Sequence, residues 1–406
     1  MGLNEEGWNA IFNSLPIVQT IDSVGFFDIT AEQIKQISSR EARNMAKIDF
    51  RENVPTVMAK DGISILAVLN GTYRIGRFDP FINLNPVSLV KPKSVPFPSN
   101  ILTLSPQRMA HESAVLDIAA ISGMLNQVFG EKTDLTIRGR TRSPNFNFKL
   151  NNVNFNIAGV QIEVDGGYEG QTSVNLVEAK IGPRNNISIR QLLYPQLSWE
   201  KTLGNTTKRI RTYICFYQEP IIRFIPIKYN GTLCEADHAN EIAFIIEPEA
   251  KLDLATISLN RFGSLPDKSA PFPQADSMDT VLAMLTIVAA ENSVSKEQLQ
   301  MEFGLTDRQI DYYTNVLWWL GFAKPSGGNV QINEFGKTVA SLSHAQKVKK
   351  IAEITFSDPI FDFALRNKGV TVPSAMFTRW RVMSKSTQLR RTQTVNAWIK
   401  YFEALT

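Results

Sequence analysis

The chain has 406 residues, of which 43% are hydrophobic and 20% are charged. This length favours about two or three domains over a single core, and the composition is that of an ordinary globular protein. The 2 cysteines exclude a disulfide framework and an all-cysteine zinc site. The 3 histidines lack the spacing of a mixed cysteine–histidine zinc site.

The net charge of +4 weakly favours an anionic partner. A solvated basic face explains any one cluster of basic residues, whereas several clusters together favour nucleic acid. Clusters occur at residues 138–142, 208–211 and 379–400. The start of the chain lacks a signal segment and no apolar run reaches the length of a membrane span. We therefore expect a cytoplasmic protein without membrane contact.

The N-terminal region, residues 1–100, mixes helical patterns with strand-like segments at 62–69 and 71–76. A Pro-rich stretch at 90–98 is typical of a connector. The next element is predicted to be one helix with Ser105 as its N-cap and Pro106 in its first turn, ending at Gly130. Its buried stripe is predicted to be Ile118, Ile121, Leu125 and Val128.

Strand signals dominate after this helix, with one further helical segment at 188–201. Alternation of helices and strands predicts an α/β (α+β) fold, a mixed sheet flanked by helices. The predicted strands are 145–150, 160–170, 173–180, 211–217 and 221–227.

Charged residues lie close together on the two strands between 160 and 180. Glu163 and Asp165 share one strand face, and Glu178 and Lys180 share a face of the next strand. Paired as a hairpin, these strands would bring two or three carboxylates and one ammonium group together, with excess negative charge. Mg²⁺ neutralises such a group through oxygen ligands. The alternative is an exposed hairpin with an incidental ion pair.

Asp165, a glycine-containing turn and the Glu178-Ala-Lys180 tripeptide resemble the PD-(D/E)XK nuclease motif. The proline that precedes the first acid in that motif is replaced by Val164. Gln191 and Tyr194 resemble the Q-x-x-Y signature of part of the superfamily. The wider stretch, residues 139–194, is similar to type II restriction endonucleases.

The resemblance implies a catalytic core in which Asp165, Glu178 and the carbonyl group of Ala179 hold Mg²⁺, with Mn²⁺ as a substitute. It also implies that Lys180 positions the attacking water and that Gln191 lies near the catalytic edge. Some restriction endonucleases carry a further acid on the opening helix. Glu112 occupies that place here, and the alternative is a surface glutamate.

The C-terminal region begins with a predicted helix at 278–291, a second capped by Ser295 and a third, 307–321, capped by Thr306. A turn at 326–329 then joins two short strands. This order resembles the winged-helix modules of restriction enzymes, in which the third helix contacts DNA. A packing or dimerisation role is the alternative. The candidate DNA contacts are Arg308, Gln309, Tyr312, Arg138, Arg140 and Arg142.

These observations predict a Mg²⁺-dependent type II restriction endonuclease that hydrolyses phosphodiester bonds of double-stranded DNA at a specific sequence. One alternative is a non-catalytic winged-helix regulator with a degenerate nuclease fold, and another is a methylation-dependent or repair nuclease of the same fold. We expect a homodimer, with a cognate DNA methyltransferase as functional partner. The predicted divisions are an N-terminal region 1–100, a catalytic domain 101–260, a winged helix 274–345 and a basic helical tail 346–406.

Overall fold

The computed structural model describes residues 3–88, 90–98, 100–106, 109–151, 153–246, 252–259, 266 and 269–406. Within these ranges the chain is a mixed α/β protein whose largest sheet contains both parallel and antiparallel strands. Each helix of the described ranges is too short or too polar to cross a membrane.

The N-terminal part packs helices around a small antiparallel sheet, in which β3 lies between β1 and β2. Its own apolar cluster includes the fully buried Trp8, Ile29 and Ile75. The strands predicted at 62–69 and 71–76 are confirmed as β2 and β3. The elements are α1 (Leu3–Ser14), α2 (Ile17–Val24), β1 (Phe26–Thr30), α3 (Ala31–Ser38), α4 (Ala42–Ala46), α5 (Thr56–Ala59), β2 (Ser64–Leu69), β3 (Thr72–Gly76) and β4 (Phe81–Asn83).

The middle of the chain forms the largest sheet. Its elements are β5 (Lys93–Ser94), α6 (Glu112–Ile121), α7 (Met124–Phe129), β6 (Asp134–Arg142), β7 (Phe146–Leu150), β8 (Val153–Ile157), β9 (Gln161–Glu169), β10 (Ser173–Ile181), β11 (Asn186–Ser188), α8 (Ile189–Leu203), β12 (Arg209–Gln218), β13 (Ile221–Tyr229), β14 (Cys234–Ala236), β15 (Ile242–Ile245) and α9 (Leu254–Leu259). Its strands lie in the order β5-β15-β13-β12-β10-β9-β6, with β14 paired to β13.

Strand β10 lies inside this sheet, between antiparallel β9 and parallel β12. Every residue from Ser173 to Ile181 is buried. A strand that is covered on both faces normally consists of apolar residues. Val174, Leu176 and Val177 follow this rule. Glu178 and Lys180 break that pattern, which marks this end of β10 as a site.

The prediction of one continuous helix that starts at Ser105 is wrong, both in the start and in the continuity of the helix. Helix α6 starts at Glu112 after His111, and Gly123 with φ +72° separates it from α7. Residues 107 and 108 lie outside the described ranges. The predicted end at Gly130 is confirmed by its left-handed φ of +77°. In the predicted buried stripe Ile118 and Leu125 are buried, Val128 is half-buried and Ile121 is 41% exposed.

Two strand-forming segments have pairing partners that the order of the chain does not predict. Strand β7, predicted at 145–150, pairs with β8 in a separate ribbon rather than with the main sheet. The Pro-rich connector contains β5, which pairs in parallel with β15 at the edge of the main sheet. The predicted helix at 188–201 is confirmed as α8, whose first turn is capped by the side chain of Ser188.

The C-terminal part begins with a helix, strand, helix, helix and hairpin, in which β18 lies between β16 and β17. The helices predicted at 278–291 and after Ser295 and Thr306 are confirmed. The elements are α10 (Met278–Glu291), β16 (Ser293–Ser295), α11 (Lys296–Phe303), α12 (Asp307–Trp319), β17 (Ala323–Ser326), β18 (Asn329–Ile332), α13 (Glu334–Ala340), α14 (His344–Ser357), α15 (Pro359–Arg366), α16 (Ser374–Phe377) and α17 (Lys385–Glu403).

A single apolar cluster joins the C-terminal helices to one face of the main sheet. It contains Val177 and Ala179 of β10 together with residues of α10, α12 and α17. Trp319 is fully buried and packs edge-on against Trp398 of α17, with ring centroids 5.9 Å apart. The basic tail is therefore packed against the rest of the molecule through its aromatic residues.

The N-terminus of α12 is held by a capping box. The Thr306 backbone N–H donates to the Gln309 Oε1 at 2.9 Å, and the Gln309 backbone N–H donates to the Thr306 hydroxyl at 3.4 Å. Replacing Thr306 with alanine should lower the free energy of unfolding by about 1 kcal/mol, since one cap acceptor is lost. Urea unfolding measures this change. Thr306→Ser keeps the oxygen and should unfold near the wild-type midpoint; an equal loss in both variants would contradict the capping explanation.

Candidate active site

The β9–β10 hairpin brings together the charged residues predicted to share a site. The Asp165 Oδ2 accepts a hydrogen bond from the Ala179 backbone N–H at 2.9 Å. The Lys180 Nζ donates to the Glu178 Oε1 at 2.8 Å and to the Ala179 carbonyl oxygen at 2.8 Å. The side chains of Glu178 and Lys180 are each 8% exposed. The alternative of an exposed hairpin with an incidental ion pair is therefore wrong.

Glu112 joins this group from the first turn of α6. Its Oε1 accepts a hydrogen bond from the Lys180 Nζ at 2.6 Å, and its side chain is 28% exposed. The ammonium group thus donates to three oxygen atoms, which is its full capacity. Glu112 lies at the site as predicted, and the alternative of a surface glutamate is wrong.

The charges in this group do not balance, because three carboxylates face one ammonium. Burial raises the pKa of Glu178 well above its ordinary value, and the negative charge of Asp165 raises it further. Burial and Asp165 also raise the pKa of Glu112 to about 7, although Lys180 opposes this shift. Burial alone would lower the pKa of Lys180, but the surrounding carboxylates raise it, so the ammonium stays charged. The crowded carboxyl groups therefore tend to hold protons, and a bound cation would relieve the crowding and lower their pKa values again.

Glu112, Asp165, Glu178 and Lys180 are together called the Lys180 group. Two of its members, Glu112 and Asp165, border a cleft of about 350 Å³. One wall comes from α6 and the β6 and β9 strands, and the opposite wall comes from α10 and α11 of the C-terminal part. The lining residues include Glu112, Arg138, Glu163, Asp165, Glu291, Gln298 and Glu302.

Glu163 borders the cleft but does not join the Lys180 group. Its Oε2 pairs with the Arg140 Nε at 3.1 Å, and both side chains are about half exposed, at 50% and 53%. Strand alternation correctly predicts that Glu163 and Asp165 share one face of β9, but only the Asp165 side chain contacts β10. Asp165 is therefore the stronger candidate of the two.

The arginines predicted to contact DNA on β6 are all engaged within the chain. The Arg138 Nη2 pairs with the Asp117 Oδ1 at 2.7 Å, and its Nε donates to the Asp165 carbonyl oxygen at 3.0 Å. The Arg142 Nη1 donates to the Gly159 carbonyl oxygen at 3.1 Å. Arg138 thereby holds the backbone of the first acidic residue in place.

Gln191 and Tyr194 on α8 have different surroundings. The Gln191 Oε1 is buried and has no hydrogen-bond partner within the described ranges. The charge of Glu178 acts on the preceding residue, Arg190, so the first turn of α8 lies near the site. Tyr194 is fully buried, and its hydroxyl donates to the Ala67 carbonyl oxygen at 3.0 Å, so it is a core residue.

Arg308, Gln309 and Tyr312, the candidate DNA contacts on α12, differ in the hydrogen bonds that their polar atoms already make within the chain. The Arg308 Nε donates to the Tyr312 hydroxyl, and its guanidinium lies 5.5 Å from that ring centroid. Gln309 uses its Oε1 in the capping box, so that oxygen is not available for a bidentate contact with adenine. All of them lie far along the chain from the Lys180 group.

Sequence reasoning missed residues that complete the site. Asp49 pairs with the Arg190 Nη2 at 2.5 Å beside the start of α8. The Arg184 Nη2 donates to the Glu302 carbonyl oxygen at 2.5 Å. The only local signal was the turn at residues 182–184, directly after the buried strand β10. Nothing in the sequence connects that turn with α11.

The oxygen atoms around Lys180 are of the kind that bind hard divalent cations. Within the described ranges, however, no group of three or more His, Cys, Asp or Glu side chains is arranged closely enough to hold a metal ion. Asp165 and Glu178 with the Ala179 carbonyl group offer two carboxylates and one backbone oxygen. The Lys180 ammonium now donates to one of these carboxylates and to that carbonyl oxygen.

Three family models match the chain. Residues 5–75 match Domain of unknown function (DUF6996), residues 76–245 match Domain of unknown function (DUF6997) and residues 280–406 match Domain of unknown function (DUF7226). No curated protein and no solved structure matches the chain. The Lys180 group falls within the second of these matches, and Glu302 falls within the third.

Proposed function

We propose that the chain is a Mg²⁺-dependent endonuclease of type II restriction character, which cleaves double-stranded DNA at a specific sequence. In this proposal the main sheet is a PD-(D/E)XK nuclease core and the first elements of the C-terminal part are a winged helix. The observation that carries it is the convergence of Asp165 of β9 with Glu178 and Lys180 of the buried strand β10, beside a cleft that Asp165 borders.

The donor set fits a hard divalent cation. Asp165, Glu178 and the Ala179 carbonyl group offer only oxygen atoms, and the surrounding carboxylates exceed the nearby positive charge. Mn²⁺ takes the same ligands and is the expected substitute. When bound, such a cation polarises a phosphate and lowers the pKa of a water molecule.

The residues of the chain have separate parts in the proposed hydrolysis. Asp165 and Glu178 hold the cation together with the carbonyl oxygen of Ala179. If Glu178 and the Ala179 carbonyl oxygen hold the cation, the two Lys180 Nζ donors that they accept here would be released to orient the attacking water and to stabilise charge on the phosphate. Glu112 holds the Lys180 Nζ at 2.6 Å, which fixes the direction of the lysine side chain.

The proposed DNA contacts of the C-terminal part lie on α12 and α17. The first turn of α12 exposes Arg308, and its positive helix end favours an anionic partner. On α17, Arg390 is exposed and Arg391 is half-buried. A surface of this kind suits phosphate contacts, with Arg308 as the residue best placed to contact a base.

Incubation of plasmid DNA with the full chain and Mg²⁺, followed by sequencing of the ends, tests this function. Wild type should give discrete ends at one recurrent sequence, and Mn²⁺ should substitute for Mg²⁺. Asp165→Asn and Glu178→Gln should abolish cleavage while DNA binding, measured by fluorescence anisotropy, persists. Arg77→Gln, which breaks an exposed ion pair in the N-terminal part, is the matched control and should cleave normally.

The outcome also separates the alternatives. DNA binding without nicking under any divalent cation, on methylated and unmethylated plasmid alike, would favour a non-catalytic winged-helix regulator. Cleavage of methylated plasmid alone would identify a methylation-dependent nuclease. Size-exclusion chromatography of the complex tests the expected homodimer, since cutting both strands commonly uses two active sites. Protection of the site by a cognate DNA methyltransferase tests the restriction assignment.

A further inference from the structure

The cleft that Glu112 and Asp165 border has a second wall that the nuclease motif does not include. This wall is formed by the end of α10, strand β16 and helix α11 of the C-terminal part, and Glu302 lies on it. Glu302 is half-buried near the end of α11, whereas Glu297 on the same helix is exposed and does not border the cleft.

Glu302 borders the same cleft as Glu112 and Asp165. Charges that share a cleft with low-dielectric walls act on one another more strongly than charges in bulk water. The proposed cation site therefore has a fourth carboxylate beside it, which comes from a different part of the chain.

Arg184 holds the backbone of α11 against the end of β10. Its Nη2 donates to the Glu302 carbonyl oxygen at 2.5 Å. Its guanidinium lies near two aromatic rings, 5.3 Å from the centroid of Phe50 and 5.1 Å from that of Phe303. Arg184 is 4% exposed, so this contact between three parts of the chain is a buried one.

The turn between β10 and Arg184 packs closely against α10. Gly182 has a φ of +82°, and a Cβ at this position would lie 3.1 Å from the Ala283 Cβ of α10. The apolar cluster is continuous from β10 through α10 to α12. A large apolar interface of this kind does not open readily, so Glu302 stays at the cleft.

We propose that Glu302 is a positioning residue of the divalent-cation site, supplied to the nuclease core by the C-terminal part and fixed there by Arg184. This inference rests on the proposed function. Its consequence is that the C-terminal part is a structural component of the active site and not only a DNA-binding unit. Glu302 acts through the field at the site and through the neighbouring carboxylates, so its negative charge is the property that matters.

Titration of Mn²⁺ into the metal-free full-length chain, followed by electron paramagnetic resonance or calorimetry, tests this role without measuring cleavage. Glu302→Gln should weaken Mn²⁺ binding by about 10-fold, as loss of an outer-shell partner typically does. Glu302→Asp keeps the charge and should recover most of the affinity. Glu297→Gln removes the same charge from the exposed side of α11 and should bind like wild type. Thermal unfolding without metal checks that each variant is folded.

The possible results separate this inference from the proposed function. Binding that is lost in Glu178→Gln but unchanged in Glu302→Gln would overturn the role of Glu302 and leave the nuclease centre intact. Equal weakening in Glu302→Gln and Glu302→Asp would show that packing, not charge, matters and would also overturn the inference. If wild type takes up no Mn²⁺ that depends on Glu178, both the metal centre and the role of Glu302 are wrong.

Discussion

Replacing Lys180 with methionine is expected to lower the free energy of unfolding by about 3–5 kcal/mol in metal-free buffer, because it leaves buried carboxylates without their cation. Methionine keeps the length and apolar stem of the side chain, so the loss reports on charge rather than on a cavity. Lys180 donates to Glu112, Glu178 and the Ala179 carbonyl oxygen, and each of these acceptors loses its donor in the variant.

A divalent cation should restore part of this stability. The variant has one positive charge fewer at this site than wild type, so Mg²⁺ should raise its unfolding midpoint more than it raises that of wild type. Urea unfolding with and without Mg²⁺ measures both effects. Lys35→Met is the matched control, because Lys35 forms an exposed pair with Glu41 and its loss should leave the midpoint unchanged with or without metal.

The same variant should cleave plasmid DNA about 100-fold more slowly or worse, because a group that positions the water and carries a proton is lost. If Lys180→Met were as stable as wild type and indifferent to Mg²⁺, the excess charge inferred at the site would not exist. If it lost stability but cleaved at the wild-type rate, Lys180 would have a structural role alone.

Strand alternation was enough to predict the centre of the candidate site. Asp165, Glu178 and Lys180 lie where a hairpin of β9 and β10 had to put them, since a strand has a period of two residues and the turn between them is short. The caps of α8, α11 and α12 were also visible, because Ser188, Ser295 and Thr306 precede apolar periodicities.

The parts of the site that depend on distant contacts were not predictable. Arg184 and Glu302 are separated by 118 residues, and no local pattern pairs them. The Asp117 that holds Arg138 lies on a helix whose start was placed at Ser105 from its cap chemistry. Met109 is instead buried in the apolar cluster, and α6 begins only at Glu112.

A buried ion pair, separate from the candidate site, joins the C-terminal part to the main sheet. The Lys347 Nζ of α14 donates to both carboxylate oxygens of Glu219, at 2.8 and 2.9 Å. Lys347 is fully buried and the Glu219 side chain is 7% exposed. Burial by itself would raise the pKa of Glu219, but His344 and Lys347 lower it below its ordinary value.

Replacing Lys347 with methionine should therefore destabilise the fold by about 3–5 kcal/mol near neutral pH, since Glu219 would stay buried without a full positive charge beside it. The double variant Lys347→Met with Glu219→Gln removes both charges and should be more stable than Lys347→Met alone. Urea unfolding of the wild type, both single variants and the double variant forms a cycle that isolates the pair.

The pH dependence of this difference gives an independent check. A carboxylate whose pKa is lowered in the folded state contributes stability above its unfolded value of 4.5, and this contribution is lost as the pH falls through the folded value. In Lys347→Met the pKa of Glu219 rises instead, so Glu219 is protonated at a higher pH and its burial then costs less. The stability gap between wild type and Lys347→Met should be widest near neutral pH and should narrow as the pH falls toward 4.5. A gap that stays constant over this range would show that the loss comes from packing of the Lys347 stem, and the ion pair would then contribute nothing to joining α14 to the sheet.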